Sequence, residues 1–183
     1  MRYLIHDTKL ICGKALLQLM ENVWLILSMR VIKATPMDFE SFLTQQEADF
    51  KNRTLDEIWK YSDLQIENTH DFIQLVFPLN KRSRSVFHGL YLDDEAIIQR
   101  IKNNSLAQAN IIKSSQWFFA FLERNNQWKT YQDHNQLRIT RIIECLRLLA
   151  SDEAADSFYT KVLALVGNNT KINETTLNFW KQA

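Results

Sequence analysis

The chain has 183 residues, 46% of them hydrophobic and 23% charged, which is long enough to bury a full core and too apolar for a disordered segment. Its 22 basic residues against 21 acidic ones leave a formal charge of +1, so there is no bulk electrostatic pull toward nucleic acid or an anionic membrane. Three glycines and two prolines are too few for a fold made of strands and tight turns.

In chain order, residues 10–27 are apolar, but Lys14, Gln18, Glu21 and Asn22 interrupt them. A spanning helix needs about 20 nearly unbroken apolar residues, and no clean apolar run with a small-residue cleavage site marks a signal peptide. The pattern predicts an amphipathic helix over 9–29 that docks on the domain or on a second copy, giving a homo-oligomer, in preference to attachment to a membrane. Residues 1–30 therefore stand apart from a helical domain over 36–183. Thr35-Pro36 offers a start for a helix through Phe39, Phe42 and Leu43. Thr54 with Glu57 and Ser62 with Gln65 have capping-box spacing. The second of these opens a helical stretch from Asp63 to Phe77, which Pro78 stops.

Lys81, Arg82 and Arg84 form a basic loop, read as solvated. Asp93, Asp94 and Glu95 precede a helix over 96–102. Residues 106–123 make a long, mostly buried helix, followed by a polar link with Trp128 and Tyr131 as anchors. Asp133 caps a helix over 134–150. Ser151 caps another, which Gly167 ends in αL fashion, and a short helix over 170–181 closes the chain. The fold class is thus all-α, a compact domain of about seven to nine helices with no significant sheet.

Cys12 and Cys145 lack C-x-x-C spacing and imply a reducing, cytoplasmic setting with neither a disulfide framework nor a zinc motif. No glycine-rich phosphate loop or nucleophile elbow is present, and no metal or cofactor is expected. On the helix from His134, side chains advance about 100° per residue. Leu149, Ile142, Leu146, Ile139 and Ile143 share one arc, which Leu137 and Leu148 extend, while Gln136, Thr140, Glu144 and Arg147 share the opposite face. Arg138 and Arg141 fall inside the apolar arc with His134 and Cys145. A guanidinium cannot shed its charge, so its burial requires carboxylates, carbonyls or a bound anion. Asp63, Glu67, His70, Asp71 and Gln74 form a polar stripe that could supply partners, with Glu67 first among them. Three readings of that stripe stay open: a solvated face, a structural network with the arginines, or a ligand pocket.

Two segments add a resemblance. Residues 64–79, LQIENTHDFIQLVFPL, and residues 134–143, HNQLRITRII, resemble the two signatures of the opioid growth factor receptor conserved domain, in the same order and at comparable spacing. The likeness spans about 39–166; Leu75 stands where the family usually has Trp. It implies a non-catalytic, receptor-type helical domain. Within it Glu67, His70, Gln74, His134, Asn135, Arg138 and Arg141 would form a polar cluster that binds a small anionic ligand or a peptide, or that holds the fold together. The alternative is an enzyme acting on a phosphate- or carboxylate-bearing substrate, with His70 or Glu67 as acid or base and both arginines as the anion clamp.

Overall fold

Polar residues set the start of nearly every helix. In the computed structural model the described residues are 37–83, 89–168 and 171–183, within one unit running from Met37 to Ala183. The helix expected over 9–29, its oligomer contact and the Thr35-Pro36 start lie outside them. Nine helices and no strand are present among the described residues, 64% of which are helical. Asp38 caps α1 (Phe39–Leu43), Thr54 caps α2 (Leu55–Ile58) and Ser62 caps α3 (Asp63–Asn68), the last two through complete capping boxes. The next helix, α4 (Phe72–Val76), has no side-chain cap bond. Asp94 caps α5 (Glu95–Asn103), Asn104 caps α6 (Ser105–Arg124) and Asp133 caps α7 (His134–Leu149). Ser151 caps α8 (Asp152–Val166) and Asn173 caps α9 (Glu174–Gln182).

The stretch over 63–77 is two helices, because Thr69 is extended at φ −96° and ψ 123°. The last helix begins at Glu174, where Asn173 Oδ1 accepts the Thr176 amide at 2.7 Å. Gly167 ends α8 at φ +55° and ψ −131°, which lies outside the αL basin but still in positive-φ space that glycine takes at least cost. Trp128 is fully buried, as expected of an anchor, whereas Tyr131 is 72% exposed.

The long helix α6 is central: it packs on α1, α5, α7 and α8, while α7 lies mainly on α8 and also meets α5 and α9. Phe42, Leu43, Phe118, Phe121, Ile142 and Leu146 are among the fully buried residues of the shared core. Polar bonds pin this core in register. Asn110 Nδ2 donates to the Leu43 carbonyl at 2.8 Å, and Trp59 Nε1 donates to Ser114 Oγ at 3.0 Å. Among the described residues no helix is long and apolar enough to cross a membrane.

Candidate functional site

The break between α3 and α4 creates the site. A helix C-terminus leaves carbonyls without intrahelical partners and carries partial negative charge. At the end of α3 those carbonyls turn toward α7, where Arg138 is only 5% exposed. Arg138 NH1 donates to the Ile66 carbonyl at 2.9 Å, and NH2 donates to the Thr69 carbonyl at 2.8 Å. NH1 also reaches Asn135 Oδ1 at 3.0 Å, and NH2 lies 3.1 Å from His70 Nδ1. One turn further along α7, Arg141 NH1 donates at 3.1 Å to the carbonyl of Phe77, which caps the C-terminus of α4. Residues three apart share a helix face, so the two arginines meet the ends of two successive short helices. Arg138 therefore serves α3 as a C-cap delivered from another helix.

Glu67 is not the direct partner of Arg138. It is linked through Asn135, which is 1% exposed: Asn135 Nδ2 donates to Glu67 Oε2 at 3.0 Å, while its Oδ1 accepts from Arg138. The other two expected acids are engaged elsewhere. Asp63 pairs with Arg124 at 2.7 Å. Asp71 is buried with Asp49 around Arg53, which bonds Asp71 at 2.9 Å, and Lys51 adds a second ion pair to Asp71. Burial pulls the Arg53 guanidinium down, but its bonds to Asp49, Asp71 and Tyr61 outweigh this and raise it above its ordinary value.

Burial pushes Arg138 down to about 10 against the opposing pull of Glu67 and Asp133, so the group stays charged at neutral pH. Arg141 is also lowered, by burial first. It differs from Arg138 in its partners: the Phe77 carbonyl is its one hydrogen bond among the described residues, and no described carboxylate lies within 4.0 Å. His70 is exposed, and its imidazole is lowered by partial burial and then by the Arg138 charge. Because arginine only donates, His70 Nδ1 accepts, which assigns the proton of the neutral ring to Nε2. The His70 and His134 rings meet edge to face at 5.4 Å.

Thus Glu67, His70, His134, Asn135 and Arg138 come together, Arg141 sits beside them at the end of α4, and Gln74 is buried within α4. The arc on α7 holds at its centre and fails at its edges. Leu137 is 73% exposed, while Gln136 is buried and donates to the carbonyls of Trp128 at 2.9 Å and Thr130 at 2.8 Å. Trp180 of α9 closes over the same turn, its Nε1 donating to the Gln136 carbonyl at 3.0 Å. The sequence names carbonyls as a class of partner for a buried arginine, but not the α3 carbonyls in particular, nor the pairing of Asp71 with Asp49 around Arg53. The run Asn68-Thr69-His70-Asp71, four poor helix formers in a row, is the signal that would have located the break.

An open cavity of about 360 Å³ lies beside Lys81, Glu144 and Arg147, and a smaller one of about 230 Å³ lies between α6 and α8. Neither is lined by a residue of the cluster. Comparison with protein-family models, with curated proteins and with solved structures gives no match.

Proposed function

We propose that the chain is a non-catalytic binding domain of the receptor type its two signatures resemble, and that its ligand is a small anion or an acidic group of a peptide held at Arg141. The observation that carries this reading is the contrast between the two arginines. Arg138 is buried with two hydrogen bonds on each terminal nitrogen, whereas Arg141 is half-buried with a single backbone carbonyl. A partly desolvated guanidinium with spare, accessible donors and no carboxylate beside it is favourable toward an incoming anion. In this reading the chain works in a reducing, cytoplasmic setting, which the wide spacing of Cys12 and Cys145 supports.

The enzyme alternative has less support. It asks for His70 beside both arginines, and the His70 contact to an arginine runs only to Arg138, through the nitrogen that would have to act as base. The test is native mass spectrometry of the chain purified from its own host, beside Arg141→Gln. An anionic adduct present on the wild type and lost from the variant is expected; an adduct retained by Arg141→Gln contradicts the reading.

A further inference from the structure

Asp133 and His134 open α7, and Glu67 lies in the last turn of α3. One donor atom from each of these three residues lies within 4.8 Å of the other two. His134 Nε2 stands 3.4 Å from Glu67 Oε1, whereas Asp133 Oδ1 lies nearer the opposite ring nitrogen, 3.9 Å from Nδ1, so Asp133 would have to close in for a metal bound at Nε2 to take all three donors. Nε2 is shielded from solvent and makes no hydrogen bond. At 3.4 Å it is long for a hydrogen bond to a carboxylate. That distance does match another geometry. A four-coordinate zinc with nitrogen and oxygen donors at about 2.0–2.1 Å sets neighbouring donor atoms about 3.3–3.4 Å apart.

We propose that Glu67, Asp133 and His134 form a binding site for a divalent transition metal of the zinc class. Imidazole with carboxylates suits zinc and its first-row neighbours, whereas magnesium and calcium favour all-oxygen shells with more ligands. The supporting shell is built around Asn135. Its side-chain amide holds Glu67 Oε2 at 3.0 Å, leaving Oε1 toward His134, and its backbone amide holds Asp133 Oδ1 at 2.7 Å. One buried residue thereby orients both carboxylates, as outer-shell partners of metal ligands do. The charges are compatible. Glu67 and Asp133 outnumber the nearby Arg138 by one, so a dication reverses a single net negative charge. Three protein donors leave a fourth position for water or for a ligand atom. No C-x-x-C or H-E-x-x-H spacing announces the site, because its donors come from two helices 66 residues apart, from Glu67 to Asp133. The inference does not depend on Arg141 or on the anion reading.

The test adds Zn²⁺ alone to the full chain after chelator treatment, followed by calorimetry, and then Co²⁺ as a spectroscopic replacement. The expected result is saturable one-to-one binding, with the intense visible bands of four-coordinate Co²⁺. His134→Gln and Glu67→Gln should each weaken binding by at least about tenfold. Asp133→Asn should do the same while keeping the helix cap, since asparagine caps as well as aspartate. Melting in chelator establishes that each variant is folded. In the wild type, Zn²⁺ should also shift the His134 imidazole resonances. Wild-type affinity in all three variants, the absence of saturable binding, or His134 resonances unmoved by Zn²⁺ would overturn the proposal.

Discussion

Asn135 carries more of the site than its single letter suggests. Its amide donates to Glu67 and accepts from Arg138, so a carboxylate and a guanidinium that do not touch are joined through one buried side chain. Truncating it to alanine leaves both charged groups short of a partner, and Asn135→Ala should cost on the order of 2–3 kcal/mol in urea unfolding. The same geometry makes Glu67→Gln and Arg138→Gln non-additive, with a coupling of about 0.5–1 kcal/mol that disappears in the Asn135→Ala background. Strict additivity with Asn135 intact would break the link. His70 gives the residue-scale pH response. Its folded-state imidazole is lowered from an ordinary 6.5, so the unfolded chain takes up a proton before the native chain does. Stability is therefore fully present above about 6.5 and falls as the pH drops through the folded value. Melting curves between pH 7.5 and 5 should show this fall, shallower in His70→Asn, which keeps an acceptor near Arg138 but cannot titrate.

At the scale of elements, capping was the most legible feature. Thr54, Ser62, Asp133 and Ser151 all cap where their spacing indicates, since a cap is local chemistry that the chain carries with it. The long middle helix was also legible, expected over 106–123 and found as Ser105–Arg124. What the chain does not carry locally is which neighbour covers a given face. Gln136 looks polar by periodicity and is buried because the loop before α7 and Trp180 of α9 close over it. Leu137 looks apolar and is exposed because no described residue covers it. The position of Arg138 within the buried arc was readable, but its partners were not. Which backbone carbonyls face a side chain leaves no mark in a sequence, whereas a carboxylate such as Glu67 does. Gln136→Ala tests this level: losing two loop carbonyl bonds should cost about 2 kcal/mol and speed amide exchange over 125–133. Unchanged exchange there would mean the loop is held by Trp128 packing alone.

At the scale of the whole molecule, the interrupted helix over 63–77 and the two arginines of α7 are one construction. Splitting that helix adds a second C-terminus to the one at Phe77, and Arg138 and Arg141 meet the two from a single face. The first arginine is consumed by the fold and the second keeps donors in reserve, the asymmetry on which the proposed anion site rests. Arg138→Gln leaves the Ile66 and Thr69 carbonyls and Asn135 Oδ1 without their charged donor. Arg141→Gln removes one carbonyl bond while also relieving a desolvated charge, two effects of opposite sign. The most direct measurement is equilibrium urea unfolding of these two variants beside the wild type. The expected result is a loss of about 3 kcal/mol for Arg138→Gln and less than about 1 kcal/mol for Arg141→Gln. Equal losses, or an Arg138→Gln chain as stable as the wild type, would contradict the division of roles between the two arginines.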